Sequence, residues 1–118
     1  MTSPSPAIGE LQAFKARFFK ALAHPVRIRI VELLVAHHRS VQELQAALAL
    51  DQSGVSQHLA VLRANQVVTA RKEGVTVRYA LRDALVGDLL AVARRIFGNQ
   101  LAGTRGMLRE LQRERRRR

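Results

Sequence analysis

Asp51-Gln52-Ser53-Gly54-Val55-Ser56-Gln57-His58-Leu59, with Val67-Val68-Thr69-Ala70-Arg71-Lys72-Glu73-Gly74-Val75-Thr76-Val77-Arg78-Tyr79 shortly after it, is the stretch that decides the fold. The first segment opens a short helix. Val55, Leu59 and Leu62 recur at i, i+4 and i+7, which turns Ser53, Ser56, Gln57 and Ala60 to the opposite, solvent side. Short polar side chains on such a face can reach base edges in a DNA major groove, which admits a helix with little room to spare. In the second segment Val75, Val77, Tyr79 and Leu81 alternate with Thr76, Arg78 and Ala80 at period two. Its turn is expected at Glu73-Gly74, glycine supplying a positive φ, so the segment reads as a basic β-hairpin.

Upstream, Ser40-Val41-Gln42-Glu43 is a capping-box pattern, in which serine and glutamate each satisfy an exposed backbone amide, and it places a helix start at Val41. Between Leu48 and Ser53 only a tight turn fits, so helix, turn and helix follow at helix-turn-helix spacing. Before them, Pro25 suits the first turn of another helix because its missing N–H would be unpaired there anyway. That helix carries Ile28, Ile30, Val31, Leu33 and Leu34 and is expected to be central. A first helix starting near Gly9 or Glu10 holds an apolar stripe of Leu11, Phe14, Phe18 and Leu22. After the hairpin, Asp83 can cap a last long helix striped by Leu85, Leu89, Val92 and Ile96.

These elements amount to a mainly α fold with a small β-hairpin, a winged helix-turn-helix of about five helices dimerising through the first and last. The expected organisation is a disordered lead-in over 1–9, a DNA-binding and dimerisation domain over 10–103, and a basic C-terminal extension over 104–118 whose charged end, Arg113 to Arg118, is expected to fray. Met107, Leu108 and Leu111 leave room for a helical piece in that extension.

With 118 residues, 47% of them hydrophobic, the chain can bury one modest core and not two. The formal net charge of +11 points to a polyanionic partner; without Arg115 to Arg118 it is still +7, so the basic character is not confined to the end. Cysteine is absent, which excludes disulfides, thiolate metal sites and thiol redox switching. No apolar run reaches membrane-spanning length, so the expectation is a soluble, cytoplasmic chain that associates with the nucleoid and not with a membrane.

Catalytic constellations are missing from the pattern. Ser56 and His58 cannot pair as nucleophile and base, because residues two apart on a helix do not face each other. No phosphate loop or paired catalytic carboxylates occur, and no cofactor is implied. His24, just before Pro25, is read as a helix-start residue or a satisfied imidazole, His37 and His38 as turn residues, and His58 as a structural hydrogen-bonding residue. Arg27, on an apolar helix, is read as an anchor between elements.

Phe18-Phe19-Lys20-Ala21-Leu22-Ala23-His24-Pro25-Val26-Arg27-Ile28-Arg29-Ile30, Ser53-Gly54-Val55-Ser56-Gln57-His58-Leu59-Ala60-Val61-Leu62-Arg63, and Arg71-Lys72-Glu73-Gly74 leading to Tyr79-Ala80-Leu81 together resemble the three signatures of ArsR/SmtB-type winged-helix repressors. The resemblance spans about Leu11 to Phe97. It implies a bacterial or archaeal homodimer, joined through its first and last helices, that represses transcription until an inducer is sensed. Many members of that family bind metal through cysteines at the position of Glu43 to Ala47, and others through carboxylate and histidine ligands on the last helix, where this chain has Leu85, Ile96 and Asn99. Zinc needs three or four converging N, O or S ligands, so neither inherited site is expected here.

The resulting expectation is a homodimer on double-stranded operator DNA. Ser53, Ser56 and Gln57 would read bases, and Arg63, Arg71, Lys72 and Arg78 would hold phosphates. Leu11, Phe14, Phe18, Leu22, Leu85, Leu89, Val92 and Ile96 would form the dimer interface. The competing expectation is a winged-helix interaction module whose basic face meets an acidic protein or RNA. The sequence carries no sign of what the inducer is.

Overall fold

Helix α1 (Glu10–Leu22) starts where the stripe begins, and Gln12 Oε1 accepts the Gly9 amide at 3.0 Å. Pro25 opens α2 (Pro25–Ala36), and His24 caps it by accepting the Val26 amide on Nδ1 at 3.1 Å. The structure is a computed structural model that describes residues 7–101 and 105–117; most of the expected lead-in and the expected boundary at 103 lie outside these residues. Strand β1 (Arg39–Ser40) precedes α3 (Val41–Leu48). The capping box forms as its sequence dictates: Ser40 Oγ accepts the Glu43 amide at 3.1 Å and Glu43 Oε1 accepts the Ser40 amide at 3.2 Å.

Ala49 ends α3 in the left-handed region at φ 55°, which reverses the chain within a few residues and lets α4 (Gln52–Ala64) begin at once. Strands β2 (Val68–Glu73) and β3 (Thr76–Leu81) then form the hairpin, and β1 adds to β3 to give an antiparallel sheet in the order β1-β3-β2. Helices α5 (Leu85–Gln100) and α6 (Arg105–Arg117) complete the described chain.

The chain divides into two compact units, the first ending at Ala84 and the second starting at Leu85. This division falls inside the span expected as one domain. In the first unit Ile30, Val31 and Leu34 of α2 meet the core with Leu44 of α3 and Val55, Leu59 and Leu62 of α4, and Val67 and Val68 close it below the sheet; all are buried. Each such aliphatic side chain contributes roughly 1.5–3 kcal/mol by leaving water, which is what fixes α4 against α2 and α3. α2 is central because its apolar residues spread round its circumference.

Six helices occur among the described residues, in keeping with about five and a helical piece around Met107, Leu108 and Leu111, which lies within α6. Three expectations are corrected. The hairpin turn is Gly74-Val75, one residue later than expected: Gly74 takes the positive φ of 62°, and Val75 lies in the turn, fully in solvent, instead of in the alternating strand. The sheet has a third, two-residue strand, too short to leave a periodic trace in sequence. Leu22 is buried within its own unit, so of the α1 stripe Leu11 and Phe14 are the exposed members, with Phe18 half-buried.

Candidate nucleic-acid interface

Asp51 sets the start of α4. Its Oδ1 accepts the Gly54 amide at 3.0 Å, and its Oδ2 accepts the Ser53 hydroxyl at 3.2 Å. A Cβ on residue 54 would stand 2.8 Å from Asp51 Oδ1, so glycine is needed for this cap to close. Ser53 is exposed as expected, but its proton is engaged by the cap and its oxygen remains as an acceptor. Ser56, Gln57 and Ala60 follow on the same exposed face, and Arg63 continues it into the last turn. Gln57 can offer an amide donor and acceptor together, which is the geometry that pairs with an adenine edge.

The hairpin register sets Arg71 directly opposite Arg78, an arrangement that would repel by itself. Glu73 resolves it. One carboxylate oxygen lies 2.8 Å from Arg71 Nη2 and the other 3.3 Å from Arg78 Nε. Arg78 reaches further, placing Nη1 2.8 Å from Glu43 Oε1, so the side chain ties β3 to the capping box of α3. Its side chain is 29% exposed against 72% for Arg71. Arg71 and Lys72, two of the cations expected to meet phosphate, are thus exposed, whereas Arg78 is a part-buried tie between β3 and α3. Lys72 and Arg63 have no ion-pair partner among the described residues. The Ser40 amide above all, with the Ser40 hydroxyl and the Arg78 guanidinium, holds the Glu43 carboxyl below its usual range despite the opposing effect of desolvation.

Between α4 and the sheet runs an open groove of about 450 Å³, lined by Ser56, Leu59, Ala60, Arg63, Ala64 and Tyr79. Tyr79 was read in sequence as one more apolar member of an alternating strand. Its place beside the exposed face of α4 was carried only by the strand register, which depends on a turn that sequence put one residue early.

Arg27 is the anchor expected of it. Its Nε donates to the Ala21 carbonyl at the end of α1, Nη2 to the Lys20 carbonyl at 3.4 Å, and Nη1 to His58 Nδ1 at 3.3 Å. Arginine can only donate, so His58 Nδ1 carries the lone pair. The His24 and His58 rings lie 4.3 Å apart at 44°. Burial first, then the electrostatic influence of the neighbouring His24 and Arg27, pushes the His58 imidazole below its ordinary pKa. This cluster holds α4 to the end of α1 and the start of α2, and it leaves Arg27 with little to give a phosphate. His37 and His38 are exposed beyond α2. Among the described residues no three histidine, aspartate or glutamate side chains are placed to hold one metal ion.

A helix-turn-helix domain family matches residues 22–71, from the end of α1 into β2. The HTH-type transcriptional regulator Rv0081 of Mycobacterium tuberculosis is 45% identical over 102 residues, 86% of this chain and 90% of that one. Its crystal structure superposes with a TM-score of 0.74, covering 80% of this chain and 95% of that one at 46% identity. The HTH-type transcriptional repressor SmtB of the same organism is 44% identical over 82 residues, 70% of this chain and 61% of that one. The homodimeric winged helix-turn-helix DNA-binding domain Mb0332 of Mycobacterium bovis has a TM-score of 0.74 at 29% identity, covering 86% of this chain and 94% of that one.

Proposed function

The chain belongs to the ArsR/SmtB-type winged helix-turn-helix regulators of transcription, which bind DNA, and from that premise we propose that it acts as a homodimeric repressor of a palindromic operator. The observation that carries this reading is the exposed row Ser56, Gln57 and Arg63 on α4, flanked by the exposed cations Arg71 and Lys72. A single short helix reads too few base pairs to find one site among the many of a genome. Two α4 helices related by a two-fold axis enter successive major grooves about 34 Å apart and double the contacts.

Gln57 and Ser56 read base edges in this account, with Ser53 an acceptor at the helix start. Arg63, Arg71 and Lys72 hold the phosphates and set affinity. The apolar rows that exceed the needs of each unit give the means of pairing: Leu11 and Phe14 on α1 are 59% and 54% exposed, and Leu85, Val92 and Ile96 on α5 are 65%, 53% and 51% exposed. Apolar rows left exposed on a unit in this way are normally covered, and a second copy of the same chain can cover them symmetrically. Repression is relieved by a signal other than the thiolate-bound metals of the family, because the ligands for them are lacking.

The test is a gel shift of the full chain on duplex from its own upstream region, competed with random duplex and with structured RNA. Specific DNA should win by about 10³ or more at physiological salt. Equal competition by random duplex or RNA would overturn the operator reading and favour a module whose basic face meets other polyanions.

A further inference from the structure

The second unit contains a cleft that the DNA-binding account leaves unused. It lies between α5 and α6, has a volume of about 340 Å³, and is lined by Arg94, Arg95, Gly98 and Asn99 of α5 with Leu108, Leu111, Gln112 and Arg115 of α6. That volume is at the small end of the range of small-molecule pockets. Three arginines line it, and Glu114 Oε2 stands 3.4 Å from Arg94 Nη2, a long contact for a charge-assisted pair. The Arg94 side chain is only 13% exposed, and among the described residues the contact with Glu114 engages one of its five donors. Leu108 and Leu111 supply an apolar wall, and Gly98 keeps the floor low, since a Cβ there would already reach within 3.7 Å of Leu111 Cδ2.

We infer that this α5–α6 cleft binds a small organic anion, a carboxylate with a short apolar body. The carboxylate would lie between Arg94, Arg95 and Arg115, the planar guanidinium groups matching its two oxygens, with the Asn99 and Gln112 amides beside them. The body would lie against Leu108 and Leu111 over Gly98. A bare phosphate leaves the apolar wall wet, and a neutral apolar molecule leaves the lining arginines without a counter-charge. A carboxylate with a short chain satisfies both. In a DNA-binding regulator such a site is a place for a signal to enter, a consequence that rests on the reading above; occupancy itself does not.

The test is a titration of the full, isotopically labelled chain, free of DNA, with octanoate, and separately with octanol and with inorganic phosphate, followed by amide NMR shifts. Octanoate should move the Gly98, Leu108 and Leu111 amides saturably, with a Kd of roughly millimolar or tighter for so small a ligand, and octanol and phosphate should not. Arg95→Gln, at the exposed rim, should weaken octanoate about tenfold with the rest of the spectrum unchanged. Gly98→Leu should fill the cleft and abolish binding without loss of helix, leucine being the better helix former. Equal shifts with octanol or phosphate, an unchanged Kd in Arg95→Gln, or binding retained in Gly98→Leu with a folded spectrum would overturn the assignment. Because DNA is absent, none of these results depends on whether an operator exists.

Discussion

Glu73→Gln should tighten DNA binding. In the free protein the Glu73 carboxylate holds Arg71 at 2.8 Å and Arg78 at 3.3 Å, and it sets a negative charge on the wing where phosphates are to lie. Arg71 is 72% exposed, so its pairing contributes little to stability, of the order of 0.2–1 kcal/mol for such surface pairs. Releasing it provides one further cation for the backbone. One phosphate contact changes the slope of log affinity against log salt by about 0.9, which between 1 M and roughly 0.15 M salt amounts to about fivefold, or about 1 kcal/mol. A dimer has two wings, so the gain should be about 25-fold and the slope steeper by about 2. Arg78 stays on Glu43 at 2.8 Å and keeps the hairpin docked. The assay is fluorescence anisotropy on operator and on random duplex across a salt series, with both duplexes gaining alike because phosphates carry no sequence. Unchanged affinity and slope would refute the assignment of Arg71 to the backbone, and a loss of affinity would show that Glu73 itself contacts the nucleic acid or positions the wing.

Three further outcomes are expected. Gln57→Ala should cost about 1–3 kcal/mol on the operator and almost nothing on random duplex; equal losses on both would remove Gln57 from base readout. Leu89→Glu should break the dimer, since an unpaired carboxylate at a buried centre costs several kcal/mol, and analytical ultracentrifugation showing an intact dimer would move the interface off α5. His58 favours its neutral form in the folded chain, so the unfolded chain takes up the proton first as pH falls: stability is at its full value above the ordinary pKa of 6.5 and declines below it toward the lower folded pKa. His58→Gln should make denaturant-measured stability less sensitive to pH between about 7 and 5, and an equal decline in both proteins would assign the dependence elsewhere.

The helices were legible in sequence wherever a periodic apolar row coincided with a local stop or start. Ser40 with Glu43, and His24 with Pro25, fix their helix ends through contacts within three residues, which sequence spells out directly. The wing was legible as a hairpin but not in register, because a turn at Glu73-Gly74 and one at Gly74-Val75 use the same glycine, and pairing across the strands decides between them. Arg78 is the clearest case of what sequence could not give. Its fate depends on Glu43, 35 positions away, and nothing local separates a cation bound for phosphate from one bound for a helix cap. Leu22 was misread for a related reason: a stripe at helical spacing has the same pattern whether its own domain or a second copy covers it. Asp51 capping through Gly54 was readable as a short local pattern, and it explains why a glycine stands in the first turn of α4.

The central claim is that two α4 helices read one duplex across a two-fold axis. Hydroxyl-radical footprinting of the full chain on its upstream duplex tests it most directly. The account predicts protection symmetric about one centre, with two zones spaced about 10–10.5 base pairs apart, as expected for half-sites on one face of the helix. A single unpaired zone at saturating protein, or protection without a defined position, would contradict it.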